Sequence, residues 1–325
     1  MQHRGGDLAH PANPAAPGDP EVFDAALVEG VKAFQERHGL EQDGHVGPDT
    51  LGALNTPVEA RLEQLVLNLE RRRWMPDRMA ARYIYVNLAD FHLQLIDRGK
   101  VTFDTPVVIG SQYNKTPVFS ADMTHLVINP FWNVPPSIAA GEILPKARND
   151  SDYFRRHQFD LFENWSADAE QLDPTSINWQ AVDPERFSYK LRQRPGPTNA
   201  LGRLKFMLPN AYNIYLHDTP DRAHFDANER SFSHGCVRVA EPEALADAIL
   251  QGQSGWTLDG IQDAVNSGER RQINLDGSLP VQITYLTAWV DKDNRAHFRN
   301  DVYDRDHILA DALTNDRRRR GLFAE

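Results

Sequence analysis

A switch in hydrophobic period at one proline constrains this chain most. Up to Arg73 the apolar residues recur every three or four positions, the spacing of one helix face. Beyond Pro76 they alternate with polar residues, the spacing of strands. Pro76, in "RRRWMP", has no N–H to continue a helix and blocks the pattern that precedes it. The chain therefore divides into a small all-α part and a larger, mostly β part, an α+β fold. At 325 residues it exceeds the usual size of a single core, which agrees with one large domain plus a smaller one.

Before the switch, "DPEVFDAALVEGVKAFQERHGLEQDGHVGPDTLGALN" reads as a compact helical unit. Leu27, Val31 and Phe34 follow helical spacing, Gly39 ends the helix, "DGHVG" turns, and Pro48 opens a second helix that ends near Asn55. Residues 58–73 predict a third helix, amphipathic through Leu62, Leu65 and Leu69. After it, "FHLQLID", "RGK" and "VTFDTPVVIG" describe a hairpin. "TPVFSADMTHLVINPFWNVPP" continues the β region, its end confined by Pro130, Pro135 and Pro136.

Residues 137–192 interrupt that texture. "SIAAGEILPKARND" and "DYFRRHQFDLF" predict helices, and the remainder is irregular, with Trp165 and Trp179. An insertion of this length fits either a lid or a peripheral subdomain. Strands resume in "LGRLKFML" and "AYNIYLHDTP", helices follow in "PEALADAIL" and "LDGIQDAVNS", and "LPVQITYLTAWVD" with "AHFRNDVYDRD" predicts a closing hairpin. The expected organisation is a disordered stretch at 1–20, a helical module at 21–57, a helical linker at 58–79, a domain at 80–310 with its helical insertion at 137–192, and a tail at 311–325.

A net charge of −11 argues against a nucleic-acid partner, whose affinity comes from clustered Lys and Arg. The basic runs Arg71–Arg73 and Arg317–Arg320 are short, lie in acidic surroundings and read as solvated faces. No apolar run approaches the roughly 18–20 residues that span a bilayer. The first twenty residues lack the apolar core of a signal peptide. Taken literally, that predicts a cytosolic protein, although a chain trimmed of its export signal looks the same.

The one cysteine, Cys236, lies in "FSHGCVRV" and cannot form an intramolecular disulfide. It reads as a buried small hydrophobe, a metal ligand or a nucleophile. Gly235 permits a tight turn, and Arg238 is a nearby positive charge that favours a thiolate, so the setting suits reactivity. A metal site could draw on His217, His224, His234 and Cys236, but the paired cysteines of structural zinc and an H-E-x-x-H motif are missing, so no metal is expected. A nucleophile needs a base, and His217 and His234 are the candidates. His217 lies in the strand-like "NIYLHDT", where Tyr215, His217 and Thr219 share one face and Leu216 and Asp218 the other. Asp218 thus faces away from the His217 ring, and a backbone carbonyl is the better orienting group.

"YLHDTP" followed, after a loop, by "SHGCVRV" resembles the signature of the L,D-transpeptidases with a YkuD-type catalytic domain. "FWNVPPSI", "ILPKARND", "RPGPTNALGRLKFMLPNAYNIYLHDTP" and "LTAWVDKDNRAHFRNDVYDRD" extend the resemblance to the larger, capped YcbB-type members. Residues 21–57 resemble a small peptidoglycan-binding module through Val31, Phe34, Gln35, Gly39, Leu40, Asp43, Gly44, Val46, Gly47, Thr50, Leu54 and Asn55. A helical scaffold that binds nothing is the alternative there.

The resemblance implies Cys236 as nucleophile, His217 as base, and the Gly235 and Cys236 N–H groups as oxyanion donors. It implies Tyr215 and Trp132 lining the donor pocket and Arg238 holding the loop or a substrate carboxylate. Thr219, Ser233 and His234 complete the expected substrate contacts. The implied partners are peptidoglycan stem peptides, a tetrapeptide donor and a diaminopimelate acceptor, with carbapenem-type β-lactams as inhibitors. The implied place is the periplasm or cell envelope, against the literal reading of the N-terminus. The acyl steps need no cofactor. Alternatives are an L,D-carboxypeptidase or endopeptidase, transfer to another acceptor such as a lipoprotein lysine, or a non-enzymatic wall-binding protein.

Overall fold

A computed structural model describes residues 22–319, apart from positions 151 and 254. The stretch expected to be disordered, 1–20, and the end of the expected tail lie outside the described residues. Three helices come first: α1 (Ala25–His38), α2 (Pro48–Leu54) and α3 (Val58–Arg73). Asp24 caps α1 by accepting from the Leu27 N–H, and Gly39 closes it in the left-handed conformation at φ 65°. The buried Gln35 ties α1 to the following turn. Its amide donates to Asp43, the His45 carbonyl and Thr50, and its oxygen accepts from the Gly44 N–H. Gln35, Asp43, Gly44 and Thr50 are among the residues that carry the module resemblance, and here they act structurally.

The β domain contains β1 (Arg82–Asn87), β2 (His92–Asp97), β3 (Lys100–Gly110) and β4 (Phe119–Ile128). The insertion follows, with β5 (Trp132–Asn133), α4 (Pro136–Ile138), a π-helical turn at Ala139–Ile143, α5 (Leu144–Asn149), α6 (Tyr153–Arg156), β6 (Phe159–Phe162), β7 (Gln171–Leu172) and β8 (Lys190–Gln193). Then come β9 (Leu204–Met207), β10 (Leu216–His217), β11 (Ser231–Ser233), β12 (Val237–Val239), α7 (Pro242–Leu250), α8 (Leu258–Asn266), β13 (Arg271–Thr284), β14 (Ala288–Val290), β15 (Ala296–Phe298) and α9 (Arg305–Arg319).

Nine strands form one sheet in the order β11-β3-β12-β10-β9-β4-β13-β1-β2. β2 also pairs with β3, so eight strands close into a ring of pairings with β11 alongside. Long β3 makes this possible: its first part pairs with β2 and its last residues with β12 and β11. The inner face carries the main core, with Ile84, Leu93, Leu126, Phe206, Leu216 and Val237 fully enclosed and α7 and α8 contributing Leu245 and Ile261. Burial of such side chains stabilises by about 1.5–3 kcal/mol each.

Four expectations need correction. The insertion carries, besides its helices, a four-stranded sheet of β5, β8, β6 and β7, and the "FDLF" placed in a helix is strand β6. It has a separate core of Val134, Leu144, Phe154, Leu161, Trp179 and Leu191. "LPVQIT" belongs to β13 in the main sheet, so the closing hairpin reduces to β14 and β15. The boundary at 310 falls inside α9.

The third helix, finally, turns the opposite face to the protein. Leu62 and Leu69 are 57 % and 66 % exposed, while Asn68 and Arg71 are buried. The surface α3 meets is polar, made of main chain and of the Thr287 and Asp306 side chains. Gln64 donates to the Thr287 and Arg299 carbonyls, Asn68 accepts from the Thr287 N–H and donates to its hydroxyl, and Arg71 pairs with Asp306. Groups of that kind need polar partners, and leucines would leave them unsatisfied. Asn68→Leu should therefore destabilise by roughly 2–4 kcal/mol, whereas Leu69→Asn should stay within about 0.5 kcal/mol. Urea unfolding of the two variants checks this; equal losses would contradict the assignment of the buried face.

Candidate active site

Three strands build the site. β10 pairs antiparallel with β9 and parallel with β12, setting Leu216 between Phe206 and Val237. All three side chains are enclosed in the core. The next residues in register, Lys205, His217 and Arg238, form a row on the opposite face. Tyr215 shares that face, its ring centroid 5.6 Å from that of His217, and the Lys205 amine sits 3.8 Å from the Tyr215 centroid. Of the alternation read from "NIYLHDT", Leu216 inward with Tyr215 and His217 outward is observed, while Thr219 lies beyond β10.

Cys236 enters this face from the turn between β11 and β12. Gly235 turns at φ 111°, a left-handed conformation that disfavours any side chain. The turn is tied internally: the Ser233 hydroxyl accepts from the Gly235 N–H at 3.1 Å and donates to the Cys236 carbonyl at 2.6 Å. From behind, the Thr116 hydroxyl donates to the Gly235 carbonyl, and the Tyr303 hydroxyl donates to the Gly110 carbonyl. Gly110 and Gly235 pack backbone to backbone; a Cβ on Gly110 would lie 2.0 Å from the Asn114 carbonyl oxygen. The Gly235 N–H, expected as an oxyanion donor, is thus engaged in the loop, and the Cys236 N–H is left for that role. The sulfur lies 3.9 Å from the Asn213 carbonyl and against Tyr215.

Burial decides the protonation states. It pushes the Cys236 thiol up, against the opposing pull of Tyr215, Lys205 and Arg238. Arg238 does favour the thiolate, as expected from its position, but loss of water around the sulfur outweighs the nearby cations. Burial also pushes His217 down to about 3, helped by Arg238. The resting pair is therefore a neutral thiol and a neutral imidazole. The His217 Nδ1 lies 2.5 Å from the Asp218 carbonyl, which fixes Nδ1 as the donor and leaves Nε2 as the basic nitrogen. Asp218 itself faces away, accepting from the Arg203 and Thr219 N–H groups and pairing with Arg222. Cys236 and His217 are diagonal neighbours on one face, with no hydrogen bond between them.

The remaining expected contacts separate into groups. Arg238 meets His224 at 3.3 Å, and its buried Nε has no partner. Ser233 and Thr219 are buried and shape loops: the Thr219 hydroxyl accepts from the Asp221 N–H. Trp132 belongs to the insertion, its ring 6.3 Å from that of Phe159, and packs on that core. His234 is hydrogen-bonded to Glu142 of the insertion's π-helical turn. Sequence reasoning missed Lys205, Thr116 and Glu142. Lys205 shares the parity of His217 once the register is known; Glu142 carries no local signal. Among the described residues one grouping could hold a cation, Asp301, Asp304 and His307, and it does not include Cys236.

The depressed His217 has a consequence for stability. An unfolded histidine takes up a proton near 6.5 and folded His217 only near 3, so the unfolded state binds more protons between those values. Stability should therefore rise with pH across that window, by about 1.4 kcal/mol per unit from this group. His217→Asn should flatten the profile of unfolding free energy between pH 4 and 6; an unchanged slope would contradict a buried, neutral His217.

Residues 12–54 match the family described as "Putative peptidoglycan binding domain". A Haemophilus influenzae protein named "Putative L,D-transpeptidase" is 33 % identical over 289 residues, which are 87 % of this chain; the chain spans 57 % of that relative's length. Among solved structures, the Enterococcus faecium L,D-transpeptidase catalytic domain acylated by ertapenem is 12 % identical, covering 64 % of this chain and 99 % of its own, at a TM-score of 0.30. The Xylanimonas cellulosilytica L,D-transpeptidase is 13 % identical over 80 % of this chain and 81 % of its own, at 0.28. Likeness at that level carries no argument about this chain. The family described as "L,D-transpeptidase catalytic domain", YkuD, matches residues 81–265, more than half of the sequence, and the chain belongs to that family.

Proposed function

We propose that the protein is a cysteine acyltransferase that joins peptidoglycan stem peptides in the cell envelope. The observation that carries this reading is the single sheet face holding Cys236, Tyr215 and His217 with both reacting groups neutral. A neutral imidazole accepts a proton that a protonated one could not. In the first half-reaction the Cys236 sulfur attacks the carbonyl of the third donor residue, and its proton passes to Nε2 of His217. A C–S bond forms, and the developing oxyanion takes the Cys236 N–H. The C–N bond to the terminal D-alanine then breaks, and His217 returns the proton to the leaving amine. In the second half-reaction the side-chain amine of another stem attacks the thioester. A 3→3 crosslink forms, and the thiol is restored.

Lys205 and Arg238 support this reading by placing positive charge beside the thiol, where it favours sulfur ionisation during attack and a carboxylate-bearing donor. The same thiol chemistry opens the strained ring of a carbapenem, and an adduct on Cys236 is expected. The insertion stands over the loop through His234 and Glu142, in a position to keep water from the thioester.

Incubation with disaccharide-tetrapeptide, followed by mass spectrometry, tests the proposal. Wild type should give a crosslinked dimer with loss of D-alanine, and Cys236→Ala no product. Tripeptide alone would establish a hydrolase instead, and no product from wild type would favour a wall-binding protein. His217→Asn should slow carbapenem acylation by about 10²–10⁴-fold, the usual worth of a general base, and His234→Gln by less than about tenfold. A larger loss at His234 would make it the base.

A further inference from the structure

We propose that Glu142 is the residue that selects a cationic amine as the acceptor. The inference rests on the acyltransferase reading above and concerns the second half-reaction. The charged groups that act on the Cys236 sulfur, Lys205 and Arg238, are both cations. That surface suits a carboxylate and repels an ammonium ion. An acceptor that arrives as an ammonium needs an anion close to the thiol loop, and the sheet does not provide one. Asp221, the other acid that acts on Arg238, is paired with His224 at 3.1 Å.

Glu142 meets the requirement from the insertion. Its carboxylate is hydrogen-bonded to His234, two residues from Cys236. It also acts on Arg238 and on Tyr153 of the insertion. Three observations set it apart. It lies in the π-helical turn Ala139–Ile143, and such turns frequently mark functional sites. Among the described residues, Glu142–His234 is the one side-chain hydrogen bond that joins the insertion to the thiol loop. Both partners are 43 % exposed, so the carboxylate is open to an incoming group as well as to His234.

Glu142 first holds the acceptor as its ammonium ion, sharing or displacing His234. The ammonium loses one proton to bulk water. The neutral nitrogen attacks the thioester carbonyl, the C–N bond forms as the C–S bond breaks, and the second proton passes through His217 to the Cys236 sulfur. Atoms and charge balance, and no further reactant is needed. Lysine and diaminopimelate side chains both present this chemistry, so the class of acceptor is a primary alkylammonium.

Competition for the acyl-enzyme tests the assignment. Wild type and Glu142→Gln are loaded from disaccharide-tetrapeptide in the presence of lysine amide and hydroxylamine, which is largely uncharged at neutral pH. The ratio of the two adducts is read by mass spectrometry, and the rate of loading cancels from it. Glu142→Gln should lower the lysine-to-hydroxylamine ratio by about three- to fivefold, the worth of a partly exposed ion pair. Glu142→Asp should restore part of it, and added salt should shrink the wild-type preference. An unchanged ratio in Glu142→Gln, with both adducts formed, would overturn the acceptor role and leave the acyltransferase reading intact. Absence of both adducts and of any mass shift on Cys236 in wild type would overturn both.

Discussion

The site depends on the parallel register of a two-residue strand. β10 contributes only Leu216 and His217, yet it is held between β9 and β12 by pairings on both sides. Because side chains alternate, anchoring Leu216 in the core fixes His217 and Tyr215 outward. The same register places Cys236 beside Tyr215 before β12 begins. A slip of one residue would bury the imidazole in the apolar core and turn Leu216 to the cleft. The side chains at Phe206, Leu216 and Val237 are therefore part of the site, although none of them touches a substrate.

Burial then sets the chemistry that this register assembles. Removing water raises the thiol and lowers the imidazole, so both groups rest uncharged. Separating the proton from the thiol creates a charge pair in a poorly solvated place. The cations Lys205 and Arg238 stabilise its sulfur end, and the Asp218 carbonyl its imidazolium end. Asp218 cannot serve as a carboxylate partner for His217, because its oxygens are committed to the Arg203 and Thr219 amides and to Arg222. A dipole thus does the orienting, and the histidine is left without a neighbouring anion that would raise it. The acceptor residue proposed on the insertion supplies negative charge where it meets an incoming amine rather than the base.

Legibility in the sequence follows the range of each interaction. The period switch at Pro76 and the alternation around His217 are local, and both were read correctly. The glycine turn and the cation beside Cys236 were also legible, since Gly235 and Arg238 are its near neighbours. Errors arose where the deciding partner lay far along the chain. Leu62 and Leu69 mark the apolar face of α3, but the carbonyls and amide at Thr287 and Arg299 select Gln64 and Asn68 instead, and the Asp306 carboxylate selects Arg71. The Gly235 N–H differs, since it is taken by the Ser233 hydroxyl only two residues away, through a turn geometry that the sequence does not display. Trp132, which the resemblance implied in the donor pocket, packs partly buried against the insertion's own core. Lys205 and Glu142 required, respectively, a strand register and a contact across 92 residues.

The two halves of the site therefore differ in kind. The sheet holds the thiol, the imidazole and the cations on a rigid ring of strands, where burial fixes their protonation. The insertion has its own core, and among the described residues its side chains reach the loop through one exposed hydrogen bond. An exposed pair of this kind contributes little to stability, about 1 kcal/mol or less. It can be exchanged for a substrate contact at small cost, which a buried pair could not be. In the proposed reaction, steps that require fixed geometry fall to the sheet, and the step that admits a second peptide falls to the part of the molecule joined to the loop by this exchangeable contact.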